Sequence, residues 1–92
     1  MYARVATYEG ATGIDEAAKG IQERDRPEGV PATGFYFLAD RESGKVVTVG
    51  LFETEDDMRT GHETLNAMSP PGGGFGNRVS VDLMEVVAHM SA

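Results

Sequence analysis

The stretch Gly34–Asp57, GFYFLADRESGKVVTVGLFETEDD, reads as strand, hairpin, strand and helix start. Phe35–Ala39 and Lys45–Phe52 are rich in aromatic and β-branched residues, which suit a pleated, buried surface. Between them, Asp40-Arg41-Glu42-Ser43-Gly44 is polar and ends in a glycine able to take positive φ, as short bulged hairpin loops require. Thr54 then offers its hydroxyl to the first free N–H groups of a helix, with Asp57 three residues on. Glu55, Asp56 and Asp57 put negative charge at the positive end of that helix.

Upstream, Tyr2–Glu9 alternates as a strand, with Ala3, Val5 and Thr7 on one face and Tyr2, Arg4, Ala6 and Tyr8 on the other. After the turn Gly10–Gly13, Thr12 and Asp15 repeat the Thr-x-x-Asp spacing, so Thr12 is expected to cap a second helix. Ile14, Ala17, Ala18 and Ile21 give that helix one apolar stripe, Arg24 and Arg26 suit its last turn, and Pro27 stops it. Downstream, a helix from about Glu55 to Met68 carries Met58, Gly61, His62, Leu65 and Met68 on one face and ends at Ser69-Pro70-Pro71. Gly72–Asn77 is a glycine-rich loop, and Arg78–His89 is the last strand. Its alternation slips at Met84-Glu85, before adjacent Val86 and Val87, which points to a bulge there.

The order is β-α-β-β-α-β over residues 1–92, one domain with no internal linker. Two βαβ halves of this kind are the ferredoxin-like α+β arrangement. Right-handed crossovers would set the first and third strands at the centre of a four-stranded antiparallel sheet, with both helices on one face. The net charge is −7, from 15 acidic and 8 basic residues, which argues against nucleic acid or an anionic membrane as partner. No apolar run approaches the roughly 18 residues of a membrane span. The absence of cysteine rules out disulfides, thiolate metal sites and a cysteine nucleophile, and fits a cytoplasmic location.

Two helices cover one side of such a sheet, yet the third and second strands are apolar on both. Val47, Val49 and Leu51 alternate with Val46, Gly50 and Phe52, and Phe35 and Phe37 alternate with Tyr36 and Leu38. Four strands of about seven residues make a face of about 400 Å². An apolar patch that large on a monomer marks an interaction site. Hiding it yields about 10 kcal/mol gross per subunit, against about 4–15 kcal/mol for association. The expected assembly is a two-fold homodimer, sheet against sheet.

The element order, the opening Tyr2-Ala-Arg-Val-Ala-Thr-Tyr-Glu, the hairpin Asp40-Arg-Glu-Ser-Gly-Lys and the segment Leu51-Phe-Glu-Thr-Glu-Asp-Asp together resemble the dimeric α/β barrel superfamily. They are most similar to its antibiotic-biosynthesis-monooxygenase-like branch of small proteins. The resemblance covers nearly the whole chain and rests on scaffold residues. It implies two sheets packed into a barrel, and a pocket in each subunit between sheet and helices. Activities in that superfamily include cofactor-free oxygenation of polycyclic phenols and haem degradation. Haem-degrading members place an axial His on the second helix, as His62 would be, together with an Asn in the first strand and a Trp. Here the first strand has no Asn and the chain has no Trp, which disfavours haem degradation. The cofactor-free oxygenases use an Asn–Trp pair near Tyr and Arg, and Asn66 matches the Asn, with Phe35, Phe37 or Phe75 for aromatic packing.

His62 is the sharpest candidate for chemistry, because a neutral imidazole on an apolar stripe can act as base, bond a phenol or simply pack. His62-Glu63 is not a zinc-protease motif, since Asn66 stands where a second His is needed, and neither a metal nor a cofactor is expected. Tyr8, Tyr36 and Arg4 are the polar groups on the strands. Arg4, near the sheet centre, calls for a carboxylate, with Glu85 or Asp82 the nearest choices, or else anchors a ligand. The Gly72–Gly76 run lies between a helix and a strand, the wrong context for a phosphate cradle. Two readings of function stand at this stage. One is a homodimer holding a small aromatic molecule near His62, Asn66, Arg4, Tyr8 and Tyr36, with cofactor-independent oxygenation as its chemistry. The other is a catalytically silent dimeric module.

Overall fold

A computed structural model describes residues 1–23, 29–67 and 76–90. The elements are β1 (Tyr2–Glu9), α1 (Ile14–Glu23), β2 (Gly34–Asp40), β3 (Lys45–Phe52), α2 (Glu55–Ala67) and β4 (Asn77–Glu85). All strand pairs are antiparallel and the sheet order is β2-β3-β1-β4, which gives the ferredoxin-like α+β arrangement with β1 and β3 at the centre. The expected ends of the first helix (Arg24, Arg26, Pro27) and of the second (Met68–Pro71), and the loop residues Gly72–Phe75, lie outside the described residues.

The hairpin forms as its residues dictate. Asp40 pairs with Lys45, the Gly44 amide donates to the Asp40 carbonyl at 2.9 Å, and Gly44 takes φ +74°. The Asp40 side chain accepts from the Glu42 amide at 3.1 Å, an Asx turn that holds the loop. Thr54 caps α2 as expected: its hydroxyl accepts from the Asp57 amide at 3.1 Å and its carbonyl from the Met58 amide at 3.1 Å. At α1 the cap falls one residue later than expected. Helix α1 begins at Ile14, and the carbonyl of Gly13 accepts from the Ala17 amide at 2.9 Å, so Gly13 and not Thr12 holds the capping position. Asp15, free of reciprocal capping, instead receives both terminal nitrogens of Arg41 at 2.6 and 3.2 Å and ties α1 to the hairpin.

Both helices pack on the face that carries Tyr2, Arg4, Ala6 and Tyr8. There the core divides in two. Ile14 of α1 packs with Ala6, Tyr8, Val46, Phe37 and Val81. Met58 and Leu65 of α2 pack with Phe52, Val30, Tyr2 and Leu83. Phe52 is fully buried, so its row belongs to the helix side, and the uncovered row is Val47, Val49 and Leu51. On that outer face Tyr36 and Leu38 are 58% and 51% exposed, and Met84 also faces solvent. Strand β2 is one edge of the sheet, with Phe35 also exposed there.

The close approach of α2 depends on Gly61. A Cβ placed there would meet Phe52 Cε1 at 2.6 Å and Cζ at 2.8 Å. Only a hydrogen atom lets the helix sit this near the sheet.

The last strand differs from expectation at both ends. It stops at Glu85, four residues before His89, although the Val86 amide still donates to the Met1 carbonyl at 2.9 Å. The register with β1 is unbroken through Met84 and Glu85, so no bulge occurs there. The irregularity lies at the other end, where Thr7 pairs with Ser80 and Tyr8 with Arg78, leaving Val79 as the extra residue. Sequence alternation alone puts Val79 in line with Val81 and Leu83. The bulge instead sets Arg78 opposite Tyr8, on the face that carries Arg4.

Candidate functional site

Arg4 lies on β1 between the two apolar clusters, its neighbours in the sheet being Gly50 and Leu83. Only 5% of its surface is exposed. Its polar head reaches α2. Arg4 Nε donates to His62 Nδ1 at 3.1 Å, and its terminal nitrogen approaches Asn66 Oδ1 at 3.5 Å. His62 and Asn66 are four residues apart and so share one face of α2, with Asn66 Nδ2 at 3.0 Å from His62 Nε2. Arg78, brought round by the bulge, donates to Asn66 Oδ1 at 2.6 Å. Four side chains from three elements thus meet under the second half of α2. Arg4 is buried, His62 half-buried, and Asn66 and Arg78 reach solvent.

The proton count in this cluster is informative. His62 Nδ1 accepts from Arg4, so a neutral ring carries its proton on Nε2, facing an Asn66 NH₂ group that is itself a donor. Turning the Asn66 amide over would satisfy Nε2–H but set the NH₂ against two guanidinium groups. Either way one donor faces another. Acceptors are one imidazole nitrogen and one amide oxygen. Donors come from two arginines, an amide and the ring.

The electrostatics point the same way. Burial, the Arg4 cation, Arg78 and Arg59 all hold His62 below its ordinary value near 6.5, with only Glu63 opposing them. Burial is also the main influence lowering Arg4, aided by Arg78 and opposed by Tyr8. Two guanidinium groups thus share one amide oxygen, at 2.6 and 3.5 Å, which sets two like charges side by side. Among the described residues no carboxylate lies within the 4.0 Å of an ion pair to either one; the ion pairs are Arg41–Asp15 and Arg59–Glu55.

The carboxylate expected for Arg4 is therefore not its partner. Asp82 pairs with Val5 and belongs to the opposite face, while Glu85 accepts from the Tyr2 hydroxyl at 3.4 Å. Of the residues singled out in the sequence, the structure brings His62, Asn66 and Arg4 together. Tyr8 is buried on the same face of β1, opposite Arg78. Tyr36 is on the outer face, opposite Val49, and does not join them. Arg78 had no sequence signal of its own, because its place depends on a bulge that the alternation hides. Among the described residues no three of His, Cys, Asp and Glu gather as metal ligands. A depression of about 230 Å³ lies on the outer face at the hairpin end, lined by Leu38, Ala39, Asp40, Lys45 and Val47. No helix among the described residues is long and apolar enough to cross a membrane.

The fold and this cluster define the class: a small ferredoxin-like α+β domain with a cationic, donor-rich polar site between sheet and helix. Searches of family models, of curated proteins and of solved structures found no match for the chain.

Proposed function

We propose that this chain is a homodimeric protein that holds a small aromatic molecule beside α2, and that its chemistry, if turnover accompanies binding, is cofactor-independent oxygenation of a phenolic substrate. One observation carries the reading: a half-buried imidazole, held below its ordinary value by burial and then by Arg4 and Arg78, is gathered with both guanidinium groups and Asn66 beside α2. Because Nε2 carries the ring proton, a phenol hydroxyl that reaches His62 takes the place of Arg4 as the donor at Nδ1, and the freed Arg4 together with Arg78 stabilises the phenolate left behind. An electron-rich phenolate is the form that reacts with dioxygen. In such a reaction a ring CH₂ carbon, or the aromatic C–H para to a phenol hydroxyl, becomes a carbonyl: one atom of dioxygen is kept as the new carbonyl oxygen and the other leaves as water with the two hydrogens the substrate gives up.

The dimer is supported by the apolar outer face. Val47, Val49 and Leu51 lie under no helix, and Tyr36, Leu38 and Met84 are exposed beside them. In a sheet-to-sheet dimer these side chains meet their symmetry mates and the 230 Å³ depression at the hairpin end is covered.

The catalytic half is tested by His62→Ala assayed on a hydroxylated anthrone or hydroquinone with dioxygen consumption as the signal. The expected result is a fall of about 10²–10⁴-fold, the usual contribution of a positioned base. Oxygen uptake equal in the two proteins removes His62 from the reaction.

A further inference from the structure

We propose that the Arg4–His62–Asn66–Arg78 cluster receives the carboxylate of a small organic acid. The inference deepens the reading above and rests on it for the apolar body of the ligand, not for the anion. What the cluster lacks is an acceptor. Two guanidinium groups, an amide NH₂ and an imidazole N–H converge, and between them share one amide oxygen and one ring nitrogen. An ionised carboxylate is acceptor-only, with two oxygens able to receive several N–H groups at once. Seated between Arg4 and Arg78, it would supply the missing acceptors and relieve the repulsion between the two cations.

The composition makes the missing counter-charge significant. Acidic residues outnumber basic ones 15 to 8, so carboxylates are not scarce. Arg41 and Arg59, both exposed, each have one, at 2.6 and 2.7 Å. Arg4, the buried arginine for which an unpaired charge costs most, has none among the described residues. Glu85 and Asp82, which a sequence reading assigns to it, are engaged by Tyr2 or turned to the other face. A buried cation kept without a carboxylate, in a cluster whose Asn66 and Arg78 reach solvent, is the arrangement of a receptor for an outside anion.

The surroundings select among anions. Leu83 stands opposite Arg4 in the sheet, and Leu65 follows His62 by three residues on α2; both are half-buried on the same face. They offer an apolar wall for a hydrocarbon body, which an organic acid has and inorganic phosphate does not.

The test is calorimetric titration of the full chain at low salt with benzoate, acetate, phenol and inorganic phosphate, repeated on Arg78→Gln. Arg78 is exposed near the start of β4, so its replacement leaves the core intact, as circular dichroism would verify. Benzoate is expected to bind, to weaken at least about tenfold in Arg78→Gln, as loss of one charged hydrogen bond implies, and to raise the His62 titration midpoint by setting an anion beside the ring. Equal benzoate affinity in the two proteins, or phosphate bound more tightly than benzoate, overturns the proposal. Phenol binding without benzoate overturns it and leaves the aromatic site of the preceding section standing. Acetate bound as tightly as benzoate, with no phenol binding, supports the anion receptor and overturns the aromatic reading.

Discussion

At His62 the local fields have one sign. Its neighbours on α2 are Arg59, Glu63 and Asn66, and from the sheet it faces Arg4 and Arg78; the cations outweigh the single carboxylate. The folded state therefore holds the ring below the value near 6.5 that it has in the unfolded chain. A depressed folded-state value means that the neutral form stabilises the fold above the unfolded value, and that this contribution is lost as pH falls through the folded one. The cluster is accordingly expected to loosen on mild acidification, when a protonated Nδ1 can no longer accept from Arg4. A proton NMR titration of the His62 ring checks this: the midpoint should lie below the ordinary value near 6.5 and move up in Arg78→Gln. A midpoint for His62 at or above 6.5 would contradict the arrangement described. At this scale the sequence named three of the four residues that meet. It assigned Arg4 the wrong kind of partner because charge complementarity is a pairwise rule, and strand register, which decides who can pair, is not visible one residue at a time. Arg78 was hidden for the same reason.

Helix α2 positions two of those four side chains, and its height above the sheet is set by Gly61 against Phe52. Gly61→Ala brings two opposed effects. Alanine favours a helix over glycine by about 1 kcal/mol. The new Cβ, however, falls 2.6 Å from a ring that is itself fully buried and has nowhere to turn, and overpacking of this kind costs about 1–3 kcal/mol. The clash should win or break even, and the helix should shift outward, carrying His62 from Arg4. Urea unfolding together with the His62 midpoint measures both: lower or unchanged stability with a midpoint moved toward 6.5 is the expected pair of results. A gain approaching 1 kcal/mol with an unmoved midpoint would mean that the contact yields easily. Elements as such were legible in the sequence. The bounds of β1 and β3 and the Thr54 cap came out as read, because periodicity, aromatic content and capping chemistry agree there. The α1 cap failed because Gly13 takes a position for which Thr12 looked better suited, and the bulge was placed at the wrong end of β4. The adjacent valines at 86 and 87 mark where the strand ends, not where it kinks.

For the molecule as a whole, the uncovered apolar face is what the proposed dimer rests on. Sedimentation at micromolar concentration is expected to show a dimer. Leu38→Lys should return it to monomer without unfolding it, since Leu38 is 51% exposed in the single chain and contributes little to its core. A wild-type monomer across that range would remove the barrel arrangement. The α+β topology followed from the order of elements and the handedness of crossovers, and it holds. Which row of β3 lies open needed the structure, because a strand apolar on both sides gives no clue to its own orientation. There is a cost to a sheet finished in this way. Strand β2 closes it with Phe35, Tyr36, Phe37 and Leu38 in unbroken succession and no charge before Asp40. Such a rim carries none of the lysines or prolines that commonly guard an edge, and an extended segment from another molecule can add to it strand by strand. Wherever that edge stays open, this rim is where fibrous aggregates would begin.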